Sequence, residues 1–336
     1  MQAPAPVSWR LALVVCLLPS LALIGCSGSS PAAASRLKIG MMPKLVGISY
    51  FNACRRGAEE AAAELGVTLT YDGPAVDKVE EQVKIIDRWI AQGYDVIAVA
   101  PNDPEVIAPA LRRAKQAGIV VLTWDADANP TASGRALLVN QAPTEAIGNT
   151  LVDVLAEGVG RQGKTVIITG SATSPNQNAW MEVMHRRLAE KYPHIQLLET
   201  LVSNEDQAKA GQLARDVLAS HPDLKGIWAI TSVALPAAAK AVRDAGRSGE
   251  VFVTGLSLPN IMREYVEDGT VRKFVLWNPV DLGYLTVHAG KALAAGRLQP
   301  GEQNFGRLRG VQVAEGEVLL GLPLVFDRHN IAEYDF

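Results

Sequence analysis

The ten residues 171–180, Ser-Ala-Thr-Ser-Pro-Asn-Gln-Asn-Ala-Trp, concentrate hydroxyls and three side-chain amides: Asn176, Gln177 and Asn178. Such groups donate and accept hydrogen bonds without changing charge, which suits recognition of a neutral polyhydroxy molecule. Read alone, the loop also fits a helix start capped by Ser174 or Asn176. No nucleophile stands beside a base here, and the five histidines of the chain are scattered without metal-ligand spacing. No Gly-x-Gly-x-x-Gly opens the first helical segment, so a dinucleotide enzyme would lack its phosphate loop. Asp125 and Asp127 stand two apart, but nothing in the sequence sets the separation that two hydrolytic carboxyls need. The expectation is a binding protein rather than an enzyme, with no cofactor and no metal.

These residues need elements to place them. Residues 165–169 are a β-branched run closed by Gly170, and a helical pattern covers 177–192. The loop thus lies at the carboxyl end of a buried strand, where open α/β sheets bind ligands. The same alternation fills the chain. Strands are predicted at 37–42, 67–71, 96–100, 119–123 and 137–140, with helices at 50–65, 79–92 and 105–117 among them. After a helix at 145–157, strands at 165–169, 195–201, 226–230, 251–255 and 272–276 alternate with helices at 177–192, 207–219, 236–245 and 261–267. A helix at 284–295 closes the series. Near-continuous apolar strands indicate parallel sheets covered on both faces. The predicted class is α/β: two Rossmann-like, doubly wound parallel-sheet lobes joined by a three-segment hinge. Residues 37–140 plus 278–300 are assigned to lobe 1, and 141–277 plus 301–336 to lobe 2. The expected crossings lie near 139–142, 277–279 and 297–306.

Two such lobes turn their strand ends towards a common cleft. The polar groups that follow strands are Lys44, Asn102, Asp103, Asp125, Asp127, Asn176, Gln177, Ser257 and Asn278, with a turn at 232–236. Tyr50, Phe51, Trp124, Trp180 and Trp277 lie beside several of them. A sugar offers hydroxyls to amides and carboxylates, and an apolar C–H face to rings. The candidates from this reading are Lys44, Tyr50, Phe51, Asp125, Asp127, Asn176, Gln177 and Asn278.

The 336 residues are enough for two domains, and at 48% hydrophobic they can bury sizeable cores. The net charge of −3 and the lack of a polybasic run argue against nucleic acid as a partner. Residues 1–25 read as an export signal: Arg10 ends a short polar start, and an apolar core at 11–23 is too short for a comfortable membrane span. The ending Leu23-Ile24-Gly25-Cys26 looks like a bacterial lipobox, which implies cleavage before Cys26 and lipidation of its thiol. Residues 26–36 are then a flexible tether, and the protein is held in the cell envelope on either membrane. With Cys16 removed and Cys26 lipidated, Cys54 is left alone, so no intramolecular disulfide forms.

From residue 37 to 336 the chain resembles type I periplasmic binding proteins of bacterial ABC importers, in the branch of the rhamnose-binding and autoinducer-2-binding proteins. The stretches that carry this are Pro43-Lys-Leu-Val-Gly47, Tyr71-Asp-Gly-Pro74, Gln92-Gly-Tyr-Asp95, Leu122-Thr-Trp-Asp125 and Leu235-Pro-Ala-Ala-Ala239. The ending from Val325-Phe-Asp327 to Tyr334-Asp-Phe336 carries it too. The resemblance implies ligand contacts from Lys44, Asp125 and the pair Asn176-Gln177, and backbone contacts from Pro236 and Ala238. Asn176 departs from the autoinducer binders, which have aspartate there. The loop at 176–178 and the stretch at 276–284 look more like the rhamnose binders. The implied ligand is a small sugar, a 6-deoxyhexose ahead of autoinducer-2, and the implied partner is an ABC permease served by a monomer.

Overall fold

The computed structural model describes residues 1–9, 36–314 and 316–336. The lipobox with Cys26, most of the export signal and most of the tether lie outside the described residues. The chain divides into two units, Met1–Ser35 and Arg36–Phe336, and the second carries the fold described below.

The first five strands are β1 (Lys38–Met42), β2 (Thr68–Tyr71), β3 (Val96–Val99), β4 (Val120–Trp124) and β5 (Leu137–Asn140). Between them run α1 (Ser49–Leu65), α2 (Val79–Ala91), α3 (Ala108–Gln116) and the short α4 (Pro130–Ser133). These strands pair in parallel in the order β2-β1-β3-β4-β5. After α5 (Thr144–Gly158) the architecture recurs with β6 (Gly163–Thr169), α6 (Pro175–Lys191), β7 (Ile195–Val202), α7 (Gln207–Ser220), β8 (Leu224–Ala229), α8 (Ala234–Asp244) and β9 (Phe252–Gly255). Its parallel order is β7-β6-β8-β9. Next come α9 (Pro259–Glu267), β10 (Lys273–Leu276) and α10 (Pro279–Ala294). A parallel bridge from Leu256 to Val275 attaches β10 beside β9.

The remaining strands are β11 (Gly301–Phe305), β12 (Leu308–Ala314), β13 (Glu317–Leu319) and β14 (Leu324–Asp327). They correct the expected lobe boundaries. β13 pairs with β5, and β12 and β11 follow it antiparallel, so 301–319 extends the first sheet instead of joining lobe 2. Only β14 pairs with β10. The third crossing is therefore residues 320–323, not 297–306, and the first sheet is mixed rather than wholly parallel.

In each sheet the strand order reverses beside the first strand, between β1 and β3 and between β6 and β8. Such a reversal opens a crevice outside the carboxyl ends. Two glycines tighten the wall of the first crevice. A Cβ on Gly57 would lie 1.7 Å from the Val280 carbonyl oxygen, and one on Gly283 would lie 1.8 Å from that of Cys54. Only glycine permits this approach of α1 to α10, which brings the start of α1 beside the residues that precede α10.

Candidate functional site

The loop after β1 delivers Lys44, and the start of α1 delivers Tyr50 and Phe51. Asp125 follows β4 in left-handed backbone, φ 62°. Aspartate tolerates that region better than most residues, and the turn directs its carboxyl inwards. From the second sheet, the loop after β6 supplies Ser174, Asn176 and Gln177. Pro175 is the first residue of α6, where its missing N–H has no partner to lose.

All of these but Ser174 and Pro175 line one cleft of about 460 Å³, its open mouth included. The Lys44 ammonium donates to Ser174 Oγ and Asn176 Oδ1, both at 2.6 Å. Asn176 Nδ2 donates to the Asp125 backbone oxygen at 3.2 Å and to Oδ2 at 3.3 Å. The Tyr50 hydroxyl donates to Asp125 Oδ1 at 2.8 Å and accepts from Trp277 Nε1 at 2.8 Å. A continuous polar chain thus crosses between the two sheets. Gln177 lies behind it, accepting from Thr169 Oγ1 at 2.6 Å and the Gly170 N–H at 2.7 Å.

The walls are apolar. Phe51, Trp180 and Trp277 line the cleft, with Leu45, Ile48, Ile230, Leu256 and Leu276. Tyr50 meets Phe51 and Trp277 edge-on, at 5.1 and 6.1 Å between ring centroids. Burial dominates the electrostatics. It pushes the Asp125 carboxyl up, opposed by Lys44, Tyr50 and Asn176. It pulls the Lys44 ammonium down, opposed by Asp125, Glu205 and Asp77. It also holds the Tyr50 phenol well above its ordinary value.

Four sequence candidates lie elsewhere. Asp127 points away from the cleft. It accepts from Thr123 Oγ1 at 2.6 Å and the Ala128 N–H at 2.9 Å, and it is ion-paired with Arg135. Asn278 caps α10, accepting from the N–H groups of Val280 and Asp281. Ala238 is fully buried inside α8. Pro236 lies in the first turn of α8 and lines a neighbouring space instead. Strand-end position alone cannot tell an inward carboxyl from one that meets a nearby arginine. Ser232, in the turn at 232–236, does line the cleft, and so do Glu205 and Thr231, which the sequence reading left out. Glu205 follows β7, so the rule that found Lys44 and Asp125 would have found it had β7 been followed to its end. Among the described residues no group of three or more His, Cys, Asp or Glu is arranged to hold a metal. Among them, too, no helix is long and apolar enough to cross a membrane.

The family described as periplasmic binding protein domain matches residues 39–298. An ABC transporter solute binding protein from Clostridium phytofermentas, solved with bound L-rhamnose, is 30% identical. It superimposes with a TM-score of 0.83 over 90% of this chain and 98% of its own. LsrB from Clostridium saccharobutylicum, in complex with AI-2, is 27% identical with a TM-score of 0.83, over 89% of this chain and all of its own. The D-ribose/D-allose-binding protein of Pseudomonas aeruginosa is 26% identical over 267 residues, 76% of this chain and 83% of its own.

Proposed function

The chain belongs to the periplasmic binding protein family, whose members are non-enzymatic components of transport, and on that premise we propose that it is the solute receptor of an ABC importer for a small sugar. The favoured ligand is a 6-deoxyhexose such as L-rhamnose. The observation that carries this reading is the make-up of the cleft. Lys44 and Asn176 offer donors, Asp125 and Tyr50 offer acceptors, and Phe51, Trp180 and Trp277 offer ring faces. Hydroxyls meet the first two sets, and the C–H faces of a pyranose meet the third. The aliphatic wall of Leu45, Ile48, Ile230, Leu256 and Leu276 suits the methyl group of a deoxy sugar.

A second reading, an autoinducer-2 receptor, is favoured by Lys44 within Pro43-Lys-Leu-Val-Gly47 and by the likeness to LsrB. Asn176 separates the two readings, because an amide donates where a carboxylate only accepts.

Ligand contacts from both lobes favour a closed arrangement over an open one, which shifts the population towards closure about the three crossings. The closed receptor, a monomer anchored through a lipid on Cys26, then delivers its sugar to the permease. Calorimetric titration tests the ligand, after co-purified molecules are removed by unfolding and refolding. L-rhamnose should bind more tightly than D-ribose, D-allose or autoinducer-2. Tightest binding of autoinducer-2 supports the second reading, and no binding of any sugar refutes the first. For the anchor, Cys26→Ser should release the protein from the membrane fraction. Retention of a processed Cys26→Ser chain on the membrane would refute it.

A further inference from the structure

Glu205, the second acid that lines the cleft, is fixed by both its backbone and its carboxyl. Its backbone is left-handed, φ 52°, as is that of Asn204 before it, φ 57°. A non-glycine residue enters that region at some strain, which persists only where surroundings enforce it. The Glu205 N–H donates to the Gly170 oxygen at 3.2 Å. The carboxyl lies against the bare Cα of Gly170, where a Cβ would come within 1.8 Å of Oε1 and 2.5 Å of Cδ. Gln177 Nε2 donates to Oε1 at 3.0 Å, and the Thr231 hydroxyl donates to Oε2. No ion pair reaches Glu205 among the described residues, since the Lys44 ammonium is engaged by Ser174 and Asn176. Burial pushes this carboxyl up, opposed by Thr231, Gln177 and Lys44.

A carboxylate has about four acceptor sites, and Gln177 and Thr231 use two. Glu205 also stands at a junction. With Ile48 and Ser232 it lines both the inner cleft and a second space beside it, which is bounded by Gly47, Ser49, Gln207 and Val233. Gly47, Ser49 and Gln207 are exposed, so this second space, which Pro236 also lines, opens to solvent beside the cleft.

We propose that Glu205 is a specificity-determining ligand contact that accepts hydrogen bonds from hydroxyls on the solvent-side edge of the sugar. This rests on the sugar reading and narrows it. The ligand carries a free hydroxyl on that edge and no negative charge there, because Asp125 and Glu205 together outnumber Lys44.

The test titrates wild type and Glu205→Gln with L-rhamnose and its series of single-deoxy analogues. In wild type, one analogue should bind at least tenfold more weakly than rhamnose. In Glu205→Gln, rhamnose itself should weaken by a similar factor, and that analogue should lose little more. Equal weakening across the series, or none, overturns the proposal and leaves Glu205 as a brace for Gln177 and Thr231. Should Glu205→Gln fold poorly, wild type supplies a second measurement. The Glu205 carboxyl ¹³C resonance should shift on adding rhamnose and not on adding that analogue, and an unmoved resonance overturns the proposal. If wild type binds no sugar at all, the sugar reading falls and this inference with it. If wild type binds sugar and only the Glu205 results fail, the sugar reading stands.

Discussion

Replacing Asn176 with aspartate probes the cross-lobe chain at its centre. Its oxygen accepts from Lys44 at 2.6 Å, from Ser174 at 2.9 Å and from the Gln177 N–H at 2.9 Å, and a carboxylate keeps all three. Its nitrogen is what changes. Asn176→Asp sets an acceptor oxygen where Nδ2 now stands, 3.3 Å from Asp125 Oδ2 and 3.2 Å from the Asp125 carbonyl. Two unit charges about 3.3 Å apart repel by roughly 5 kcal/mol at an effective dielectric of 20. The new charge also attracts Lys44 from a comparable distance, which offsets most of that repulsion. What remains is the loss of the amide donors to buried acceptors, about 1–3 kcal/mol. At about 1.4 kcal/mol per tenfold, sugar affinity should fall roughly 5- to 150-fold. The defect should also shrink in acid. Burial already raises the Asp125 carboxyl, so one proton shared by the two carboxyls restores a donor between the lobes. The assay is calorimetry of wild type and Asn176→Asp with L-rhamnose at pH 7.5 and 5.5. X-ray scattering alongside should show a more open variant at the higher pH. Equal affinity in both proteins at both pH values would refute the reasoning and reduce Asn176 to an amide that serves the start of α6.

Three further outcomes are expected. Asp127→Asn removes the charge that pairs with Arg135, whose side chain is only 13% exposed, so the variant should lose about 1–3 kcal/mol of stability in urea melts while keeping its sugar affinity. A drop in affinity at unchanged stability would return Asp127 to the site. Gly57→Ala forces a Cβ against the Val280 carbonyl, so the variant should be severely destabilised and Tyr50 displaced from Trp277, read as a lower melting temperature and changed tryptophan fluorescence. His288 is buried against Tyr284 and faces Glu64, Lys291 and Arg307; burial holds its pKa below 6.5, opposed by Glu64. The unfolded chain then binds the proton before the folded one, so stability is lost as pH falls below about 6.5, and His288→Phe should flatten that limb. Parallel pH dependences of the two proteins would rule this out.

The alternation of apolar strands with amphipathic helices is written in the order of residues, because burying one face or two leaves a period in the chain. That period was enough for the α/β class, for the strand ends and for a cleft candidate list. Lys44, Tyr50, Phe51, Asp125, Asn176 and Gln177 do line the cleft. Sheet membership at the chain's far end was not legible. Whether 301–319 joins the first sheet depends on β13 finding β5, where Glu317, Val318 and Leu319 pair with Leu138, Val139 and Asn140. No local period records a partner so distant. The same limit governs single side chains. Asp125 and Asp127 have the same residue type, two positions apart after one strand. A left-handed backbone at 125 turns one carboxyl to Tyr50, while Arg135 draws the other away. Asn278 capped its own helix, as a short amide does when N–H groups lie two and three residues ahead. Glu205 needed Gly170, Gln177 and Thr231, drawn from two other strand ends, before its carboxyl had a place. Periodicity is set by which face is buried, whereas the aim of a loop side chain is set by one backbone angle and by partners that only the folded chain brings within reach.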